Sequence, residues 1–270
     1  MTWTVLNNQP IDKLEPKERS RNNSITLVLQ GAASRLSSRE LATHLASTNC
    51  PSYTWTVPNL WHVSGKMPGR NERKMVVAKR SDGDLVPFNA IALNPAGMAE
   101  LESFGNPAYP VVPNGFHRQD AYIWKQHYPN LKVVAPRGAE KGVAKAVAVD
   151  LRCDELPSDA AITLTHRDGL ANKEALMIVK HEMGQTLVAC DALLNMPSGI
   201  VTFLFSFLLA SLDRLSTLPF TKWMFVKDRA TWQAQLGQLA ATTTRVIPGH
   251  GAIIDSQAGQ ALVGAQTLLG

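Results

Sequence analysis

The chain has few cysteines, no long apolar run and no strong charge, and each shortage excludes something. Its 270 residues contain three cysteines, Cys50, Cys153 and Cys190. An odd number at wide spacing argues against a disulfide scaffold and a zinc knuckle. A reducing cytosol is the simpler expectation. The longest apolar stretch, Ile200 to Leu212, is too short to span a bilayer. Met1 to Glu15 has no apolar core of the kind a secretory signal needs. The net charge is only +5. Its one dense basic cluster is Arg70, Arg73, Lys74, Lys79 and Arg80. That cluster reads as a solvated strand face rather than a nucleic-acid patch, and no nucleic-acid partner is expected. There is no residue-level repeat and no low-complexity tract.

What is present is a globular composition, 45% hydrophobic, long enough for one large core or two small ones. Residues 1–55 are weakly patterned, with a short strand at Ile25 to Leu29 and a helix from Ser37 to about Ser47. They are expected to be an N-terminal extension. From Leu60 the pattern sharpens. Leu60 to Ser64 and Lys74 to Lys79 read as strands. Asp82-Gly83 is a hairpin turn, and Leu85 to Asn89 returns. Asn94-Pro95 opens a helix that Gly105 closes. Tyr109 to Val112, Lys132 to Ala135 and Ala144 to Val149 are expected strands, with a helix over Gln119 to His127.

The second half repeats the style. Ala161 to Thr165, Glu174 to Lys180 and Thr186 to Cys190 read as strands. The apolar segment Ile200 to Leu212 reads as a helix, with Leu218 to Val226 packed beside it. This 200–226 stretch is also a candidate dimer interface. A helix follows from Asp228 to Leu239, then a strand from Arg245 to Ile247 and a closing helix from Ser256 to Leu268. Mixed strands followed by helices, twice over, predict two sheets packed face to face with helices outside. The fold class is α/β (α+β), an αββα sandwich.

Three places stand out. Val112-Pro113-Asn114-Gly115-Phe116-His117, Thr186-Leu187-Val188-Ala189-Cys190-Asp191 and Val246-Ile247-Pro248-Gly249-His250-Gly251 each end a short apolar strand in a residue able to bind metal. Strand ends are where such folds present their chemistry. Each residue has a structural alternative: His117 as a helix cap, Asp191 as a turn cap, His250 as part of a Pro-Gly turn.

The span 56–270 resembles the metallo-β-lactamase superfamily. The Pro248-Gly249-His250-Gly251 loop is similar to its terminal ligand loop, and the strand ending in Asp191 is similar to the one that carries its bridging aspartate. The strand from Leu85 to Leu93 resembles its early strand pair. Pro113 to His117 and His181 to Leu187 resemble a branch of that superfamily. The His-x-His-x-Asp-His signature is degenerate here, with only His117 remaining, while Val112 and Phe116 bear no ligand atoms. The resemblance therefore implies a reduced site in which His117, Asp191 and His250 hold one divalent metal, zinc first, with iron or manganese as alternatives. Asp191 would both ligate and orient a water made nucleophilic by the metal. His166 and Glu174 are further candidates for that site. The expected activity is hydrolysis of an ester, thioester or similar bond in a small molecule. The alternative is a non-catalytic relative without metal that serves as a binding or interaction module.

Overall fold

The computed structural model of the chain describes residues 54–66, 72–165, 167–196 and 214–269. The strand expected at Ile25 to Leu29, the helix from Ser37, His166 and the segment Ile200 to Leu212 lie outside the described residues. The dimer expectation rests largely on that last segment.

The first half builds one sheet. Strands β1 (Thr54–Val57), β2 (Leu60–Lys66), β3 (Glu72–Lys79), β4 (Asp84–Phe88) and β5 (Asn106–Pro107) lie side by side in that order. Helix α1 (Pro95–Phe104) joins β4 to β5, and the Asn94 side chain caps it by accepting the Gly97 N–H at 2.8 Å. Single parallel bridges from Phe88 to Val111 and from Val111 to Val134 carry the sheet onward. They reach the pair β6 (Val134–Ala135) and β7 (Leu151–Arg152). The expected strand over Tyr109 to Val112 is reduced to these bridges because Pro110 and Pro113 have no N–H to donate. Helix α2 (Ala121–His127) and the single turn α3 (Glu140–Val143) lie in the same half.

The expected strand over Ala144 to Val149 is a correction. This stretch continues the turn of α3, since the Ala144 N–H reaches the Glu140 carbonyl and the Val147 N–H that of Val143. Val143 and Val147 are thereby placed four residues apart on one buried face. Their alternation with alanine and lysine only mimicked a strand.

The second sheet runs β11 (Thr243–Ile247), β10 (Gly184–Val188), β9 (Leu176–His181), β8 (Ile162–Thr165). Strands β9 and β10 form a tight hairpin, and β10 pairs with β11 in parallel. Helices α4 (Pro219–Phe225), α5 (Arg229–Ala240) and α6 (Ala258–Leu268) complete the order. No helix among the described residues is long and apolar enough to cross a membrane.

Side-chain alternation along the strands assigns the layers. In β3, Met75 and Val77 face the cluster that holds Leu101, Phe104 and Trp124 of α1 and α2. The intervening Val76 and Ala78 face Met177, Val179, Val188 and Ile247 of the other sheet. In β9 and β10, Leu176, Ile178 and Leu187 face Trp232, Leu236 and Leu262 of α5 and α6. Three apolar layers separated by two sheets make an αββα sandwich. Each fully buried aliphatic side chain contributes about 1.5–3 kcal/mol, so β3, β9 and β10 are held from both faces.

The basic cluster is the second correction. Arg73, Lys74 and Arg80 are buried, not solvated. Arg73 pairs with Asp120, Lys74 reaches the Gly251 carbonyl, and Arg80 pairs with Asp82 and the Pro157 carbonyl. A strand buried on both faces accepts such cations only with partners, and the Lys74 partner lies 177 residues along the chain.

Candidate metal centre

The loops that matter lie at one edge of the sandwich. His117 follows the Val111 bridge, Asp191 follows β10 and His250 follows β11. His117 and His250 have ring centroids 5.2 Å apart. One ligand atom from each of His117, Asp191 and His250 lies within 4.8 Å of the others. The three residues picked out by their positions after apolar strands are thus brought together.

Local chemistry fixes each of them. The Asp191 side chain is 15% exposed. The Asn114 amide holds its Oδ2 at 2.9 Å; His117 Nε2 lies 3.2 Å from that oxygen and 3.3 Å from Oδ1, and His250 Nε2 lies 3.7 Å from Oδ1. Gly249 lets the His250 loop pass close to β10, since a Cβ there would sit 3.1 Å from Cys190 Cα. Gly251 has φ +89° and packs against the Asn195 carbonyl, which a Cβ would meet at 1.9 Å. The loop is tied to the first sheet by the Lys74 N–H on the Gly249 carbonyl at 2.9 Å.

The rings themselves are oriented from behind. His250 Nδ1 lies 2.7 Å from the main-chain carbonyl of Glu72, so that nitrogen carries the proton. His117 Nδ1 lies 2.9 Å from Asn89 Oδ1. The Asn89 amide cannot be turned round, because its Nδ2 donates to the Lys74 carbonyl at 2.8 Å. His117 Nδ1 is therefore also a donor. Both histidines present Nε2 to Asp191, and in a neutral imidazole that nitrogen offers only a lone pair. Burial, then the neighbouring His117, hold His250 below the ordinary histidine value against the pull of Asp191. Burial pushes Asp191 up, but the neighbouring His117, then His250 and Asn114, outweigh it and keep its pKa low. Lone pairs facing a carboxylate call for a positive centre between them.

A divalent ion fits that requirement. Two imidazole nitrogens and a carboxylate oxygen are an ordinary zinc donor set, and bonds of about 2 Å put ligand atoms about 4 Å apart or less. The observed 4.8 Å spread needs an inward shift of about an ångström. A histidine ligand whose other nitrogen donates to a carbonyl oxygen is the usual arrangement around zinc.

Other candidates separate out. His166 lies outside the described residues. Glu174 does not converge with the three ligand atoms but lies fully buried beneath them. Burial, then the charge of Asp191, push its pKa well above the usual carboxylate range. Asp120 stands at the N-cap position of α2 but makes no side-chain cap there. It binds the Arg73 guanidinium and accepts the Ala92 N–H at 2.9 Å. Sequence reasoning missed Asn89 and the Glu72 carbonyl. A weak signal existed for Asn89: an asparagine at a strand end tolerates the positive φ, here 59°, that turns it towards His117.

No protein-family model and no curated relative matches the chain by sequence. Solved structures do match by shape. DIM-1 metallo-beta-lactamase superposes with a TM-score of 0.56 at 11% identity, covering 82% of this chain and 99% of that one. The FIM-1 metallo-beta-lactamase from Pseudomonas aeruginosa, in its mono-zinc form, gives 0.52 at 10% identity over 82% and 96%. A metallo-beta-lactamase from Erythrobacter litoralis gives 0.56 at 9% identity over 82% and 97%. The chain has the metallo-β-lactamase fold. Within that fold, the cluster of His117, Asp191 and His250 occupies one edge where both sheets end. Val112, in the loop that carries His117, is buried in the apolar core against α2, and Phe116 is 57% exposed.

Proposed function

We propose that the chain is a metal-dependent hydrolase with one divalent ion, zinc in the first instance, held by His117, Asp191 and His250. The observation that carries this reading is the orientation of both rings. Asn89 and the Glu72 carbonyl hold the Nδ1 protons, and both Nε2 atoms face one carboxylate. A single ion fits better than two, because Val112 and Phe116 supply no ligand atoms. A bound divalent ion supplies Lewis acidity to the water and the carbonyl it meets.

The chain's own residues do the rest. Asp191, steadied by the Asn114 amide on its Oδ2, would both help hold the ion and orient a water beside it. Water adds to the carbonyl of an ester or thioester, and the bond to the alcohol or thiol breaks to release it with a carboxylic acid. A cytosolic location is part of this proposal, in which Cys153 and Cys190 are free, buried thiols. Residues 56–270 form the working domain in this proposal, with 1–55 as an extension.

A second reading, a metal-free binding module, draws on the same two positions, Val112 and Phe116. Elemental analysis of protein purified without a metal-binding tag separates the two. About one metal per chain, lost in the double variant His117→Ala/His250→Ala with the fold intact, supports the hydrolase and justifies an ester and thioester screen. A double variant that keeps full metal content refutes this site. No uptake near neutral pH favours the binding module.

A further inference from the structure

Glu174 is fully buried, and a buried carboxylate is destabilising unless its hydrogen bonds are made. It opens the segment into β9 among apolar neighbours, with Ala175 and Met177 in the core between the sheets. Its three hydrogen bonds all lead to one residue. Oε1 accepts the N–H of Cys190 at 3.2 Å and that of Ala192 at 2.7 Å, the residues on either side of Asp191. Oε2 accepts from Asn114 Nδ2 at 3.2 Å, and the same Nδ2 donates to Asp191 Oδ2 at 2.9 Å. The Asn114 amide is fixed in that sense because its Oδ1 accepts the Phe116 N–H at 2.9 Å.

We infer that Glu174 is the positioning residue of the metal centre, a role that rests on the metal reading above. It clamps the main chain on both sides of Asp191. Through Asn114 it also holds Asp191 Oδ2, which lies 3.2 Å from His117 Nε2. Asn114 is thus the link between a buried acid and a ligand, not a ligand itself. Neither residue touches the substrate or the ion.

The test is zinc titration of the full chain by calorimetry, on the wild type, Glu174→Gln, Asn114→Ala and the double variant. Glutamine keeps a carbonyl oxygen for the Cys190 and Ala192 N–H groups but turns an NH2 towards the Asn114 NH2, so the tie to Asp191 breaks while the packing stays. Each single variant should bind zinc about 10–100-fold more weakly, as loss of a group that supports a ligand does. The double variant should be no weaker than the weaker single, because the two residues act in series. Unchanged affinity in a folded Glu174→Gln, or losses that add in the double variant, would overturn the inference. Should Glu174→Gln not fold, Asn114→Ala carries the test. It leaves both main-chain bonds of Glu174 in place, so tenfold weaker binding supports the role and unchanged binding overturns it. A wild-type chain that takes up no zinc overturns the metal reading itself, and the positioning role falls with it.

Discussion

Both site histidines keep their Nδ1 protons on oxygen acceptors that belong to the first sheet, Asn89 Oδ1 and the Glu72 carbonyl. Asn89→Gly accepts the backbone's positive φ and removes only the amide, so His117 loses its anchor. Zinc binding should weaken about 10–100-fold, which calorimetry will read; unchanged affinity would mean that packing alone orients the ring. A second single-residue effect is larger for the fold. Arg73 and Asp120 are almost wholly buried, and Arg73 Nη1 is a buried nitrogen that makes no hydrogen bond among the described residues. Removing one partner of a buried pair costs about 3–5 kcal/mol. Asp120→Ala should therefore lower the urea midpoint steeply, and a loss below about 1 kcal/mol would show that the guanidinium finds another partner. As candidates, His117, Asp191 and His250 were legible in the sequence because each follows a recognisable apolar strand. Their supports were not. Asn89 lies 28 residues from His117, and Glu72 lies 178 from His250, so only the folded sheet edge brings them together.

Elements whose signal is local were legible, and those that depend on partners were not. Asn94-Pro95 predicted the start of α1 correctly, since a cap and an N1 proline act within one turn. Asp228 likewise caps α5 by accepting the Thr231 N–H at 3.1 Å. Ala144 to Val149 failed because its apolar spacing fits a strand and a helical turn equally. The link between α5 and the second sheet rests on Gly169, at φ +88°, where a Cβ would sit 2.3 Å from the Trp232 nitrogen. Gly169→Ala should cost at least about 2 kcal/mol from backbone strain and overpacking together. A thermal midpoint within a degree of wild type would contradict the close approach.

The β3–β4 turn is tied to the segment before β8 by Asp159, which accepts the Ser81 N–H at 3.0 Å and the Ser81 hydroxyl at 2.8 Å. Burial works against the Asp159 charge, but these bonds and its own turn's N–H groups win, and its pKa is lowered. A depressed carboxylate contributes stability above its unfolded value of about 3.9 and loses it as pH falls through the folded value. Asp159→Asn should therefore be less stable than wild type at pH 7, with the gap closing below about pH 4. A gap independent of pH would assign the effect to packing.

At the scale of the whole molecule, the candidate site sits where the two layers meet. His117 comes from the loop after the Val111 bridge of the first sheet, while Asp191 and His250 end neighbouring strands of the second. The supports cross in the same way, since Lys74 of β3 holds the Gly249 and Gly251 carbonyls and Glu72 holds His250. An ion at this edge would be bonded to both layers, and separating the sheets would release it. Binding to the native state alone then adds stability by mass action, about 2.7 kcal/mol at a hundredfold excess over Kd. For a domain of this size that is a rise of roughly 5–10 °C in the thermal midpoint. Zinc should raise the midpoint of the wild type by that order, EDTA should reverse it, and His117→Ala/His250→Ala should not respond. An equal zinc response in the double variant would place the ion elsewhere, and no response in the wild type would leave the facing Nε2 atoms to be balanced by a proton.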